Sequence, residues 1–185
     1  MGRKEKVEDW VIVDRLTDII LDNVKGCVVD IGIGASTKVL AYHTKRLGVK
    51  HYCCDISPKR CKWAREKLRW PEVYEGKSLD FIKQFLDNPV ALVFIDGDHR
   101  YKVVIQEVRF FLEKLTPGGV IFLHDTYPKE GYVYEDGQRC GTVYKVRQEM
   151  ENDNSVWSLT WPYTGFNYGI TMLLKKEKNV PFFRR

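Results

Sequence analysis

Apolar runs in this sequence end in carboxylates, glycines, hydroxyls and imidazoles, which are groups that bind small ligands and transfer protons. In an open α/β sheet, ligands bind beyond the carboxyl ends of the parallel strands. The polar residues that follow each apolar run are therefore candidate site residues. In chain order they are Asp30, Gly32 and Gly34; Asp55; Gly76, Lys77 and Ser78; Asp96, Asp98 and His99; and His124, Asp125 and Thr126.

The segment 28–37, VVDIGIGAST, predicts a buried strand, a tight turn and a helix start. Gly32 and Gly34 allow positive φ and a close approach of a ligand to the backbone. The free N–H groups at the helix start favour an electron-rich ligand. An ordinary strand–helix turn that contains two glycines is the alternative. Thr37 stands where the dinucleotide fingerprint has its third glycine, which disfavours pyrophosphate binding.

The elements that would position these residues alternate between strand and helix. This alternation predicts an α/β fold with a doubly wound, mainly parallel sheet. Two late β-rich runs have no helix between them and predict an antiparallel hairpin. The predicted strands are 27–31, 51–55, 73–74, 91–95, 120–123, 156–161 and 168–174, and residues 117–119 predict a turn. The predicted helices are 5–24, 36–47, 57–68, 79–86 and 101–115, and one that ends near Glu151.

Length and composition predict one soluble domain over residues 1–185, with an N-terminal helix within 1–25 and a basic tail over 176–185. The sequence has no apolar run of membrane-spanning length and no secretory signal. Five cysteines without a CxxC pair argue against a disulfide framework and a zinc ribbon, so we expect a cytoplasmic protein. The net charge of +5 permits an anionic substrate but gives little support to nucleic-acid binding.

The turn DIGIG, residues 30–34, resembles the first motif of the class I S-adenosylmethionine (SAM) methyltransferases, with Ser36 in place of the third glycine. Two further runs, FIDGDHRY over 94–101 and PGGVIFLHDT over 117–126, resemble a subgroup of small-molecule and sugar O-methyltransferases. The resemblance implies a Rossmann-like, seven-stranded sheet that is closed by a C-terminal antiparallel hairpin. It also implies SAM-dependent methylation of a hydroxyl group on a small molecule or glycan.

In this family the glycine turn lies under the amino-acid part of SAM. The resemblance implies that Asp55 accepts both hydroxyls of the ribose, although a carboxylate there can also stabilise a helix N-terminus. Ser78 can hydrogen-bond the adenine edge or serve only as a helix N-cap. The full set of predicted cofactor-binding residues is Asp30, Gly32, Ile33, Gly34, Asp55, Ile56, Ser78 and Asp96.

In the same subgroup, the acid that ends the fourth strand and two adjacent residues that end the fifth bind Mg²⁺ or a similar ion. The matching residues here are Asp96, His124 and Asp125. His124 departs from the carboxylate of the relatives, and imidazole suits Mn²⁺, Fe²⁺ or Zn²⁺ better than Mg²⁺. The sequence leaves two alternatives open, a divalent metal such as Mg²⁺ or Mn²⁺, or no metal.

His99 follows Asp96 by three residues, a spacing at which the sugar-modifying relatives carry a histidine general base. An aliphatic hydroxyl must lose its proton as the new bond forms, and a histidine of near-neutral pKa can take it. A loop-stabilising hydrogen bond is the alternative role for His99. The polar, Gly-rich stretch 127–141 is the predicted lid over the acceptor.

Two broader alternatives remain open at the level of function. The acceptor is RNA or protein in the first, and the chain is a non-catalytic, nucleotide-binding Rossmann-like module in the second. The basic tail over 176–185 is either a disordered end or a segment that packs on a neighbouring subunit of a homo-oligomer. The sequence lacks the N/D-P-P-Y/F motif of amino-methylating DNA and RNA enzymes and the Pro-Cys nucleophile of cytosine C5 enzymes.

Overall fold

The computed structural model describes residues 8–83, 88–128, 133, 136–137, 139–162 and 168–176. The helices are α1 Glu8–Asn23, α2 Ala35–Leu47, α3 Pro58–Trp63, α4 Ser78–Ile82, α5 Tyr101–Lys114 and α6 Val143–Glu151. The strands are β1 Cys27–Ile31, β2 His51–Asp55, β3 Glu72–Glu75, β4 Val90–Ile95, β5 Leu115–His124, β6 Val156–Trp161 and β7 Ile170–Lys175. A π-helical turn, Ala64–Leu68, continues α3.

All of these strands form one seven-stranded sheet in the order β3-β2-β1-β4-β5-β7-β6. The first five strands are parallel, and β7 runs antiparallel to both β5 and β6. Every residue of the apolar strand β4 is buried, as expected for a parallel strand that is covered on both faces. The predicted doubly wound sheet with a C-terminal antiparallel hairpin is therefore confirmed.

Alternate side chains of the central strands face opposite layers of helices. Val28 and Leu92 pack with Val13 and Leu40 of α1 and α2 on one face. On the other face Val93 packs with residues of α4, α5 and α6. This period of two is the reason why continuous apolar runs in β1 and β4 bury both of their faces. All five cysteines are buried and free.

Strand β5 begins earlier than the sequence predicts. Leu115 pairs with Val90, and the register then shifts so that Val120 pairs with Leu92. Thr116 secures the irregular stretch by donating its hydroxyl hydrogen to the carbonyl of Val90 at 3.1 Å. The prediction of a simple turn at 117–119 is therefore wrong, because these residues lie within the strand as a bulge.

Parts of the earlier predictions fall on residues that the structure does not describe. These parts include the start of the helix predicted over 5–24, the end of the helix predicted over 79–86, the centre of the loop that joins β6 to β7, and the tail from 177 onwards. Among the residues that are described, no helix has the length and apolar character that crossing a membrane requires.

Candidate active site

The register of the sheet aligns the ends of three central strands. Ile31 of β1 pairs with Ile95 of β4, and Ile95 pairs with Leu123 of β5. The next residue along each strand is therefore brought to the same edge, with neighbouring strands about 4.8 Å apart. This alignment gathers the glycine turn, Asp96 and His124 at one site, as ligand sites in α/β sheets require.

Asp96, His124 and Asp125 form a compact group in which one ligand atom from each lies within 4.8 Å of the others. The Nδ1 atom of His124 lies 3.2 Å from Asp96 Oδ1 and 3.2 Å from Asp125 Oδ1. One imidazole nitrogen and two carboxylates are a donor set that suits Mn²⁺, Fe²⁺ or Zn²⁺. The structure thus brings the three predicted metal ligands together.

Asp125 has a left-handed backbone with a φ of 58°. This conformation is uncommon for a residue other than glycine, although aspartate tolerates it better than most. It follows directly after β5, so it turns the chain sharply at the point where the strand ends. Strained residues of this kind cluster at functional sites.

His99 adds its imidazole to the same group. Its Nε2 atom lies 3.3 Å from Asp96 Oδ1 and 3.5 Å from Asp125 Oδ2. Its Nδ1 atom donates a hydrogen bond to the backbone carbonyl oxygen of Arg139. Because a carbonyl can only accept, Nδ1 donates in this bond, and because an ionised carboxylate can also only accept, Nε2 donates in its bond to Asp96.

The charges within this group shift the pKa values of its members. Burial disfavours the charged form of Asp96, but the imidazoles of His124 and His99 outweigh burial and hold its pKa well below the usual range. Burial favours the neutral form of His99, but the carboxylates of Asp96 and Asp125 outweigh it and raise the pKa of His99. The site therefore favours the protonated, positively charged form of the His99 imidazole.

Residues 139–142 support His99 through hydrogen bonds. The sequence analysis does not predict this contact. The backbone N–H of Thr142 donates to the His99 carbonyl oxygen at 2.7 Å. A Cβ atom on Gly141 would clash with this same carbonyl. Cys140 is fully buried, and burial together with the nearby Asp125 carboxylate raises the pKa of its thiol to about 12. The only sequence signal was a glycine directly before a helix, within a stretch assigned to the lid.

The two glycines of the turn have different surroundings. Gly32 has a φ of 97°, and a Cβ there would clash with the backbone carbonyl oxygen of Asp96. Gly34 has a φ of −163°, which is ordinary extended backbone, and a Cβ there would meet nothing within 4 Å. Gly32 is thus required by the packing of the turn against β4, whereas Gly34 leaves open space beside the start of α2.

Asp55 lies at the end of β2 and holds the glycine turn in place. Its Oδ2 accepts from the backbone N–H of Ile33 at 2.9 Å, and its Oδ1 accepts from that of Ser57 at 2.7 Å. The side chain of Ile33 is buried, so only its backbone faces the turn. The side chain of Ile56 is 72% exposed and lies beside this carboxylate in the chain.

Asp30 and Ser78 occupy the remaining predicted cofactor positions. Asp30 is fully buried, and burial raises the pKa of its carboxyl to about 8, while the hydroxyl of Thr37 opposes this rise. Ser36 donates to Asp30 Oδ1 at 3.3 Å. Ser78 is half-buried at the first position of α4, near the buried carboxyl of Glu107. Seven of the fifteen residues of the predicted lid over 127–141 lie outside the described residues.

Comparison with solved structures gives the same fold. An O-methyltransferase from Bacillus cereus in complex with SAH is 22% identical, with a TM-score of 0.73, over 90% of this chain and 80% of that one. The O-methyltransferase TomG from Streptomyces achromogenes, involved in tomaymycin synthesis and solved with SAM, is 16% identical, with a TM-score of 0.71, over 91% and 79%. An SAH-bound methyltransferase from Podospora anserina is 17% identical, with a TM-score of 0.71, over 90% and 79%.

Comparison of the sequence itself gives the family. No curated protein matches the chain. A family model described as a methyltransferase domain matches residues 29–126, from within β1 to just beyond β5. The matched stretch contains the glycine turn, Asp55, Ser78 and the Asp96–His99–His124–Asp125 cluster. Because it spans more than half of the 185 residues, the chain belongs to the methyltransferase domain family and is an enzyme.

Proposed function

We propose that this enzyme is a SAM-dependent O-methyltransferase that acts on a hydroxyl group of a small molecule or sugar with the help of a divalent metal. The observation that carries the proposal is the cluster of Asp96, His99, His124 and Asp125 beside the glycine turn. Structural neighbours that were solved with SAM or SAH and are O-methyltransferases support it. RNA and protein remain the alternative acceptors.

The open space at Gly34 supports SAM binding at the turn. Neither backbone conformation nor packing calls for a glycine there, so the absent side chain leaves room for a ligand. Each oxygen of Asp55 already accepts one backbone N–H, and a carboxylate has further lone pairs for ribose hydroxyls. SAM supplies a methyl group on an electron-poor sulfonium centre.

The donor set supports a metal at Asp96, His124 and Asp125. Two carboxylates and an imidazole fit Mn²⁺, Fe²⁺ or Zn²⁺ better than they fit Mg²⁺, which prefers oxygen ligands. A divalent cation there would act as a Lewis acid that eases loss of the acceptor's hydroxyl proton.

His99 is the general base in this proposal. Its Nδ1–H is held by the Arg139 carbonyl, and its Nε2 faces the cluster, where it would act as the base once it has released its own proton. An acceptor hydroxyl at the cluster would donate its proton to Nε2 as the oxygen attacks the methyl group and the methyl–sulfur bond of SAM breaks, leaving SAH. The carboxylates of Asp96 and Asp125 would then stabilise the resulting imidazolium.

Calorimetry with SAM and NAD tests the cofactor assignment. We expect SAM to bind and NAD not to bind, and Asp55→Ala to lose most of the SAM affinity because the ribose loses its acceptor. Arg65→Ala is the control, since the Arg65 side chain pairs with Glu75 on the exposed surface. Binding of NAD without SAM would identify a nucleotide-binding module instead.

A product screen tests the acceptor. We expect methyl transfer from SAM to hydroxylated metabolites or glycans, detected by mass spectrometry, and none to bulk RNA. Transfer to RNA with an affinity that falls steeply with salt would favour the nucleic-acid alternative, because phosphate contacts release counterions.

A further inference from the structure

We propose that β6 is a pairing surface for a second copy of this chain, so that two copies join through antiparallel β6 strands into one continuous sheet. β6 is one of the two edge strands of the sheet, and β7 pairs with its inner side. Within the part of the chain that the structure describes, no strand pairs with the outer side of β6. The inference concerns association between copies and does not depend on the proposed function.

The two edge strands of the sheet differ in how they are protected against pairing. β3 has four residues, with a glutamate at each end. Arg65 donates to the Val73 carbonyl oxygen at 3.3 Å and pairs with Glu75, so a charged side chain lies along this edge. β6 has six residues, Val156–Trp161, and none of them is charged or a proline. Because natural proteins block edge strands with charges or proline, an edge without them indicates a site that pairs.

The hydrogen bonds between β6 and β7 show which backbone groups of β6 face outward. The backbone N–H of Lys176 donates to the Ser155 carbonyl oxygen at 2.7 Å, so these two residues form a hydrogen-bonded pair of the antiparallel ladder. Such pairs occur at every second residue of the strand. Val156, Ser158 and Thr160 therefore direct their backbone groups away from β7. They are spaced evenly about Ser158, which is the arrangement that a two-fold axis requires.

A two-fold axis at Ser158 pairs the outward groups of the two copies. Ser158 exchanges N–H and C=O bonds with the partner's Ser158, and the Thr160 N–H donates to the carbonyl oxygen of the partner's Val156. The N–H of Val156 already donates to the Asp153 carbonyl oxygen at 3.2 Å within its own chain. Because no residue of β6 is charged, the two copies meet without repulsion between like charges.

Trp157 and Leu159 are the exposed apolar side chains that this pairing covers. They are 55% and 50% exposed, and they face the side of the sheet where their β7 partners, Leu174 and Met172, pack. The two-fold register places Trp157 opposite the partner's Leu159, where the side chains of antiparallel strands are closest. An aromatic side chain buries about 150–250 Å², so the contact from both copies is smaller than the about 1,200 Å² of a stable interface. We therefore expect a weak dimer with a Kd in the micromolar range.

Sedimentation of the full chain over a concentration series that spans the micromolar range measures this association. We expect the wild type to change from monomer to dimer. Leu159→Lys should weaken the dimer by about tenfold or more, because its ammonium faces the partner's Trp157. The Lys176 ammonium already lies 4.3 Å from the centroid of the Trp157 ring and repels a second cation there. Ile19→Lys is the matched control, since Ile19 is 60% exposed on α1.

Three results of this series would overturn the proposal. One is a wild type that stays monomeric throughout, and another is a folded Leu159→Lys variant that associates as the wild type does. The third is an equal loss of association in Ile19→Lys, which would assign the contact to the helical layer. Circular dichroism checks that each variant is folded.

Disulfide trapping with copper phenanthroline as the oxidant tests the register. All five native cysteines are buried, so the engineered thiols are the ones that react. Trp157→Cys protein mixed with Leu159→Cys protein should give a mixed dimer, because facing Cα atoms lie about 4.5 Å apart. Either variant alone should cross-link far less, since its two thiols belong to diagonal positions about 7–8 Å apart. No mixed dimer, or equal cross-linking alone and mixed, would overturn the proposal.

The tail over 176–185 is the alternative contact between copies. In the full chain, the double variant Phe182→Ala/Phe183→Ala should associate as the wild type does, because β6 is unchanged. Loss of association in this variant would assign the contact to the tail and overturn pairing through β6.

Discussion

Gly32 and Gly34 belong to one motif, but the structure restricts the two positions differently. Gly32 combines a positive φ with a close approach to the Asp96 carbonyl, so the fold itself needs a glycine. Gly34 has neither constraint, and its missing side chain leaves space beside the helix start. The positive φ that we predicted for this turn is thus found at Gly32, whereas the open space for a ligand lies at Gly34.

Gly34→Thr should therefore weaken SAM binding without unfolding the protein. Threonine ranks with glycine as an N-cap, so α2 keeps its start, while the branched side chain enters the open space. We expect SAM affinity by calorimetry to fall about tenfold or more, with a melting temperature close to that of the wild type. Gly32→Ala should instead lower the melting temperature strongly. Unchanged affinity in Gly34→Thr would show that SAM does not lie there.

His99→Ala should slow the chemical step while SAM still binds. Loss of a general base costs on the order of a hundredfold or more in rate. Single-turnover methylation measures the rate, and calorimetry measures the SAM affinity. Glu113→Ala, an exposed position on α5, is the control. An unchanged rate would leave positioning of the two substrates as the main catalytic device.

Chelation tests the proposed metal independently of the proposed base. Excess chelator should stop turnover and leave SAM affinity nearly intact, because the ligand set lies at the ends of β4 and β5 rather than at Asp55. Mn²⁺ should restore activity at least as well as Mg²⁺, since one ligand is an imidazole. Full activity in excess chelator would contradict a metal and leave His124 and Asp125 as hydrogen-bond partners of the acceptor.

At the scale of elements, α6 connects both sides of the site. Thr142 at its N-cap contacts the His99 loop. Further along, Arg147 Nε donates to the carbonyl oxygen of Thr126 just after β5 at 2.9 Å. Glu149 accepts from Tyr101 and pairs with Arg109, which joins α6 to α5. Packing of α6 therefore contributes to how firmly His99 and the predicted metal ligands are held together.

Met150→Ala tests how much of this packing is hydrophobic. Met150 is 1% exposed and belongs to the main apolar cluster on the α5 side of the sheet. We expect a loss of about 2–5 kcal/mol in the free energy of unfolding, because the truncation leaves a cavity. Gln148→Ala, an exposed position on the same helix, should change it by less than about 0.5 kcal/mol. Urea denaturation measures both, and equal effects would contradict this role for Met150.

The sequence predicts elements well where the pattern is local. The buried strand β4 and the Ser57–Pro58 start of α3 follow from apolar runs and capping residues. The early start of β5 does not, because its bulge depends on pairing between Leu115 and Val90, which are distant in sequence. For the same reason the strand-end residues were predicted, whereas the contact of Thr142 with the His99 loop was not.

At the scale of the whole molecule, the strand ends bring polar groups to one edge of the sheet. Other carboxyls are buried between the sheet and the helices that cover it. Glu107 on α5 is fully buried, and the hydroxyl of Ser78 is the polar side chain that interacts with its carboxyl. Burial raises the pKa of its carboxyl to about 7, although the Ser78 hydroxyl opposes this rise. A carboxyl with this environment is more stable neutral than charged.

This environment makes part of the stability of the protein depend on pH. Between the unfolded pKa of 4.5 and the folded pKa of about 7, the native state keeps a proton on Glu107 that the unfolded state has lost. The native state then binds more protons, so the free energy of unfolding falls as pH rises through this window and levels off above it. A shift of this size corresponds to about 3 kcal/mol.

Glu107→Gln removes the titration and keeps the shape of the side chain. We expect the free energy of unfolding of this variant, relative to the wild type, to rise from pH 4.5 to pH 8 by up to about 3 kcal/mol. Denaturant titrations at several pH values measure the difference, which isolates this carboxyl from the other titrating groups. Glu113→Gln on the exposed side of α5 should give a difference within about 0.5 kcal/mol throughout, because water screens a surface charge. A difference for Glu107→Gln that stays constant with pH would contradict a carboxyl that is held neutral by burial.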